Sequence, residues 1–350
     1  MKAFVASRKG LLIYKEQGSG WKLEKSFFDG VKTSYVSFDP FGKKIWVGVN
    51  HGHWGPKLHV SSNKGKTFQE VSQPKFPEGM TGSVKDIWAI AADKSGRVYV
   101  GTDPAEIFHS DDMGKTWELN RGLHNIHGKD KWFGGGADGT CLHSILIHPE
   151  NQDNITIGIS VAGVLETTDR GKTWAYRNKG MSAGFLPDPN AEIGQDPHLI
   201  ERAPSNPAVI WQQNHCGIFK SDDNAATWTD LSKAKGIKTP FGWAVVVDEK
   251  DEDVAYTVPA FSDETRVPWQ KKLFVQKTEN GGKTWKVLSN GLPQKNCYDI
   301  IYRHAFSGVG KQLLFGTTTG NIYFSKNKGS KWAKIPDSLP PIYAVKLVDF

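Results

Sequence analysis

One eight-residue phrase, repeated along the chain, constrains the fold more than any other feature. It reads Ser61-Ser-Asn-Lys-Gly-Lys-Thr-Phe68, Ser110-Asp-Asp-Met-Gly-Lys-Thr-Trp117, Thr167-Thr-Asp-Arg-Gly-Lys-Thr-Trp174, Ser221-Asp-Asp-Asn-Ala-Ala-Thr-Trp228, Thr278-Glu-Asn-Gly-Gly-Lys-Thr-Trp285 and Ser325-Lys-Asn-Lys-Gly-Ser-Lys-Trp332, and a degraded seventh copy ends at Trp21. The aromatic positions 21, 68, 117, 174, 228, 285 and 332 lie 47, 49, 57, 54, 57 and 47 residues apart. That period is too long for a helical solenoid and fits four short strands per unit, which predicts an all-β, seven-bladed β-propeller. Within each unit an apolar run such as Ser144-Ile-Leu-Ile-His148 and a second such as Val98-Tyr-Val-Gly101 supply strands A and B. The phrase then forms the C to D hairpin: Asp or Asn caps backbone amides, Gly supplies a positive φ, and Trp turns into the blade core.

The two ends of the chain complete this plan. Ala3 to Ser7, Leu11 to Tyr14 and Trp21 to Phe27 give strands B, C and D of a first blade that lacks strand A, while Ile342 to Val348 is left over. Pairing of that last strand inside the first three closes the ring without an open edge, and residues 1–350 are expected to form a single propeller domain.

Composition narrows the function classes. The 44 Lys and Arg exceed the 37 Asp and Glu by seven, but the Lys residues are dispersed through the recurring turns, so no nucleic-acid partner is expected. No apolar run approaches the roughly 18 to 20 residues that span a bilayer, and no membrane association is expected. Cys141, Cys216 and Cys297 are too few and too far apart for a disulfide framework. Met1 to Ala6 run straight into an apolar stretch without a signal-peptide pattern, so the expected compartment is the cytoplasm.

The Ser-x-Asp-x-Gly-x-Thr-Trp phrase resembles the Asp box, or BNR repeat, of the sialidase, xyloglucanase, sortilin and photosystem II assembly-factor propellers. His51-Gly-His-Trp-Gly-Pro56, Gly134-Gly-Gly and Gln213-Asn-His-Cys-Gly217 further resemble a bacterial group of BNR-repeat proteins labelled glycosyl hydrolase-like. The resemblance implies a fold more strongly than an activity. Sialidases of this pattern carry an Arg-Ile-Pro segment and six units, whereas this chain has no such segment and seven units, with Arg202, Arg266 and Arg303 as its nearest approach to an arginine triad. A xyloglucanase-like mechanism needs two propellers and two acidic catalysts, for which Asp103 with Glu106, or Asp86 with Asp299, are the available pairs.

Two motifs are decoys. Gly-Lys-Thr occurs at 65–67, 114–116, 171–173 and 282–284, but the Gly required five residues earlier is replaced by Val60, His109, Glu166 and Lys277, and a strand follows where a phosphate loop needs a helix. Gly134 to Gly136 reads as a flexible turn, since no βαβ unit surrounds it.

Chain direction alternates within a blade, so B to C and D to A connections emerge together, opposite the repeated turns. The longest D to A connections precede His143 and His198. Aligned A strands put Ser34, Trp88, His143, His198, Trp243 and Asp299 in one column and Lys32, Asp86, Cys141, Asp196, Phe241 and Cys297 two residues earlier. His143, His198, Asp299 and Arg303 are therefore the expected catalytic groups. His51, His53, Asp103, Glu106, Trp132, Asn214, His215, Trp243 and Arg266 are the expected ligand-binding groups. His143, His198 and His215 form the expected ligand set for one divalent metal, zinc or a similar ion. The functional expectation is a propeller that binds a small polar or anionic, sugar-like ligand at a His-rich mouth, with hydrolysis or elimination as its chemistry. The competing expectation is a noncatalytic assembly propeller that docks a protein partner.

Overall fold

The computed structural model describes residues 1–134 and 139–350. They form seven four-stranded antiparallel sheets, six of them β-meanders of consecutive strands, with almost no helix beyond the short turn Arg121–His124. The inner strands are Ile342–Val348, Lys32–Asp39, Asp86–Ala92, Leu142–Ile147, Pro197–Arg202, Gly242–Val247 and Phe306–Val309, for blades one to seven. Each packs against the inner strand of the next blade, and the seventh packs against the first.

The first blade takes its inner strand from the far end of the chain. Ile342–Val348 runs antiparallel to Lys2–Ser7, with Lys2 opposite Val348 and Val5 opposite Val345. Lys2–Ser7 is thereby paired along its length, with one irregularity between Ala6 and Ser7, and does not remain an open edge. The core is divided accordingly: apolar side chains from the two faces of each sheet interlock with the neighbouring blades, as in the cluster of Val5, Tyr14, Tyr256, Phe306, Phe315 and Trp332.

The repeated phrase forms a tight turn whose hydrogen bonds close within five residues. In the third blade Ser110 Oγ accepts the Gly114 amide at 2.8 Å, and Asp112 Oδ1 accepts the Thr116 amide at 2.9 Å. Thr116 Oγ1 donates to Asp112 Oδ2 at 2.6 Å. Thr167, Asp169, Gly171 and Thr173 repeat this in the fourth blade, and Ser221, Asp223, Ala225 and Thr227 in the fifth. Gly114 sits at φ +82, where a non-glycine residue is strained. The terminal Trp does more than fill its own blade: Trp117, Trp174 and Trp228 donate their indole N–H backwards, to Ser72 O, Asn120 Oδ1 and Arg177 O. These bonds tie the third, fourth and fifth blades each to the one before it.

At the opposite end the inner strands share an irregularity. The strand register shifts at Ser34, Trp88, His143 and His198 and across Trp243–Ala244, and the pairing of the closing strand skips Tyr343. A bulge leaves one residue out of the ladder and re-aims its side chain. Six blades thus present a re-aimed residue at one level, around the end of the central channel.

Candidate functional site

A cavity of about 470 Å³ lies at that level, on the face away from the repeated turns. Five of the six re-aimed residues line it: Ser34, Trp88, His198, Trp243 and Tyr343, and so do Lys32, Asp86, Cys141, Asp196 and Phe241 from two residues earlier. The two long D to A connections each lend an aromatic side chain, Phe133 and Phe185, whose rings touch edge to face at 6.4 Å. The B to C connections of the fifth and sixth blades add His215, Asp263 and Arg266.

The most concentrated chemistry is around Asp196. Its Oδ2 lies 3.6 Å from His198 Nε2 and 3.4 Å from His215 Nδ1. Its Oδ1 accepts the Val161 amide at 3.1 Å, which fixes the carboxylate. His215 Nε2 in turn lies 3.6 Å from Asp263 Oδ2. His198 Nδ1 is 2.6 Å from the Gly242 carbonyl. A carbonyl only accepts, so Nδ1 carries the proton and neutral His198 turns a lone pair on Nε2 towards Asp196.

The electrostatics follow from burial and these partners. Burial pushes the Asp196 carboxyl up, but the imidazoles of His198 and His215 beside it and the positive charge of Arg303 outweigh it and hold it well below the usual carboxylate range. Burial pushes His198 down despite Asp196. His215 is raised by its bond to Asp196, against a smaller effect of burial. Aromatic rings enclose the cluster: Trp243 stacks on His198 at 5.8 Å, and Phe241 and Phe185 stand edge-on to His215 at 5.6 and 5.1 Å.

A second group faces the cavity from the seventh blade. The Arg303 guanidinium lies 5.6 Å over the Trp88 ring, its Nη2 donates to Ser160 Oγ at 3.3 Å, and its buried Nε has no hydrogen-bond partner among the described residues. Lys32 is paired with Asp86 and also lies over Tyr343. Arg266 lies 5.8 Å over Trp243 at the exposed rim.

The structure gathers some of the expected residues and disperses others. His198, His215, Trp243, Arg266 and Arg303 line the cavity. His143 does not: it is fully buried, bonded through Nδ1 to Ser144 Oγ and packed over Gly158, and its place beside the other two histidines is taken by Asp196. Burial, then Arg303 and His304, hold its imidazole well below the usual range. Asp299 also lies elsewhere, because the inner strand of the seventh blade begins at Phe306 and the mouth position belongs to Tyr302, Arg303 and His304. Its carboxylate is occupied by Thr317, Thr319, Asn321 and Tyr323 and holds a turn of its own blade.

The remaining expected binders serve local structure. His51 Nδ1 accepts the amides of His53 and Trp54 in an exposed turn. Glu106 is bonded to His124 and Lys129, and Trp132 to Tyr176. Asp103 is buried beside Glu106 on the same connection and is not among the cavity residues. Asn214 accepts the Cys216 amide at 2.8 Å and shapes the turn that carries His215. The Gly134 to Gly136 turn lies, apart from Gly134, outside the described residues. Asp263, Phe185 and Tyr343 carry no motif; only their loop lengths and strand alignment hinted at them.

No family model matches the chain. A probable oligoxyloglucan-reducing end-specific xyloglucanase of Neosartorya fischeri is 23% identical over 263 residues, covering 66% of this chain and 30% of that protein. The chain thus spans less than a third of that relative's length. Among solved structures, an ancestral GH74 enzyme aligns with a TM-score of 0.57 at 14% identity, over 87% of this chain and 38% of that one. YCF48 bound to D1 peptide aligns with a TM-score of 0.55 at 13% identity, over 88% and 82%. No helix among the described residues is long and apolar enough to cross a membrane. The similarity is therefore one of fold, and it agrees with the seven sheets of the structure: the chain is a β-propeller.

Proposed function

We propose that the mouth cavity binds a small anionic, sugar-sized ligand, with Arg303 as the group that grips its charge. The observation that carries this reading is Arg303 itself, a guanidinium stacked on Trp88 inside the cavity, with an unpaired Nε and no carboxylate partner among the described residues. Guanidinium matches a carboxylate in two-point geometry. The aromatic walls of Trp88, Trp243, Phe241 and Tyr343 suit the apolar faces of a sugar ring. Hydrolysis or elimination of such a ligand is the enzymatic form of this reading, and the xyloglucanase similarity favours a glycoside.

The test is titration calorimetry with glucuronate and galacturonate against glucose and galactose. Uronates should bind at least about tenfold more tightly than the neutral sugars, and Arg303→Ala should erase the difference. Equal binding of acid and neutral sugars, or no binding of any of the four, would overturn the reading. The second outcome would point to protein docking, the use favoured by the exposed Phe133, Phe185, Phe261 and Tyr298 on this face.

A further inference from the structure

We infer that Asp196, His198 and His215 form a binding site for one divalent transition metal, with zinc the ion that best suits the donor set, open to the mouth cavity. The site is distinct from the anion grip at Arg303 and goes beyond it: either can exist without the other.

Three observations converge. The first is spacing. Two ligand atoms bound to zinc at about 2.0–2.1 Å in tetrahedral geometry lie about 3.3 Å apart. Asp196 Oδ2 stands 3.4 Å from His215 Nδ1 and 3.6 Å from His198 Nε2, and all three donor atoms fall within 4.8 Å of one another.

The second is an electrostatic conflict in the empty arrangement. His198 is 3% exposed, and its Nδ1 proton is committed to the Gly242 carbonyl. The Nε2 lone pair consequently faces the Asp196 carboxylate, acceptor against acceptor, in a buried position. Such a pair is costly unless a cation stands between its members. A metal ion satisfies both, and the alternative is a second proton on the pair, carried by His198 or by Asp196.

The third is the outer support. Metal-bound histidines donate their other ring N–H to a backbone carbonyl or a carboxylate, which fixes the tautomer. Gly242 O provides this for His198, and on the far side of His215 the Asp263 carboxylate stands 3.6 Å from Nε2, within ion-pair range. Val161 N–H holds the non-ligating oxygen of Asp196, and the His215 amide donates to the Asp196 carbonyl at 2.9 Å, pinning the loop that brings the third donor. Three protein ligands with a side facing a cavity is the arrangement of a site that keeps a position for water or substrate.

The experiment uses the full chain, stripped with chelator and titrated with Zn²⁺ alone by calorimetry, and with Co²⁺ followed by visible absorption. One ion should bind per chain, and Co²⁺ should give the intense visible bands of low coordination number. Asp196→Asn keeps the side-chain shape and should weaken Zn²⁺ by about 100-fold or more, as should His198→Ala, while His53→Ala in the exposed turn leaves it unchanged. Thermal melting of each variant establishes that it is folded, and His215→Ala, at a partly exposed position, serves if the buried variants are not. No stoichiometric Zn²⁺ binding by the parent chain would overturn the inference and leave the second proton as the resolution. Unchanged Zn²⁺ affinity in folded Asp196→Asn and His198→Ala would overturn it equally.

Discussion

The two ends of the ring are built on opposite principles. At the repeated turns every defining bond closes within five residues: Ser110, Asp112, Gly114 and Thr116 form a self-sufficient unit, and other blades carry the same unit with Thr for Ser or Asn for Asp. At the mouth, partners are distant in sequence: Arg303 reaches Ser160, and His304 Nε2 donates to the carbonyl of His143. A locally closed unit must repeat its sequence to repeat its geometry, so it is conspicuous. A site assembled from several blades needs no two residues alike and leaves no phrase behind.

The largest test of this contrast is truncation after Pro340. It removes Tyr343 and the strand Ile342–Val348 but leaves every repeated turn intact. If the turns were enough to hold the blades, the shortened chain would melt as the parent does. We expect instead unfolding or aggregation, because Lys2–Ser7 becomes an open edge beside an exposed core.

Asp299→Ala separates the mouth from its nearest imitation. The buried carboxylate satisfies Thr317, Thr319 and Asn321, so its loss should lower stability by about 1–3 kcal/mol through orphaned donors. Uronate and zinc affinity should stay at parental values. A folded Asp299→Ala protein with full stability and lost ligand binding would return Asp299 to the mouth.

Glu201→Gln probes the channel below the mouth through pH. Burial pushes the Glu201 carboxyl up to about 7, with Lys346 and a Val247 backbone hydrogen bond pulling the other way and Tyr35 within electrostatic reach. The folded chain therefore holds this proton more tightly than the unfolded one, whose value is about 4.3. The resulting stability is complete below pH about 4 and is lost as pH rises through about 7. Melting of parent and variant between pH 5 and 8 should show the variant gaining on the parent by about 2 kcal/mol at the upper end. A constant difference across that range would contradict the buried carboxyl.

The smallest effect is expected at the turns. Asp112→Ala and Asp169→Ala each remove hydrogen bonds at an exposed site and should lower the melting temperature by a few degrees, leaving zinc and uronate affinity untouched. Ligand binding abolished by either change, in folded protein, would mean that the functional face has been assigned to the wrong end.

Much of the mouth was legible from alignment alone. Lys32, Asp86, Cys141, Asp196 and Phe241 stood in one column and reach the cavity, whereas Cys297, the sixth member of that column, does not line it. The alignment failed where its premise failed. In the seventh blade the strand begins at Phe306, so Asp299 was matched to a position that Arg303 and His304 occupy. In the fourth blade His143 stands at the bulge, in its aligned column, yet it turns onto Gly158, where the absence of a side chain leaves room for the ring.

The sequence by itself determined the number of blades, the turn chemistry, the closure by Ile342–Val348 and the face on which long connections collect. These follow from period, local hydrogen bonding and chain direction, all of which are properties of neighbouring residues. Only the tertiary structure decided that Asp196 joins His198 and His215 while His143 is walled off, and that Phe133 and Phe185 close over them. That choice depends on where each bulge aims its side chain and on which space the adjacent blade leaves open, and neither is written in the order of residues along a single strand.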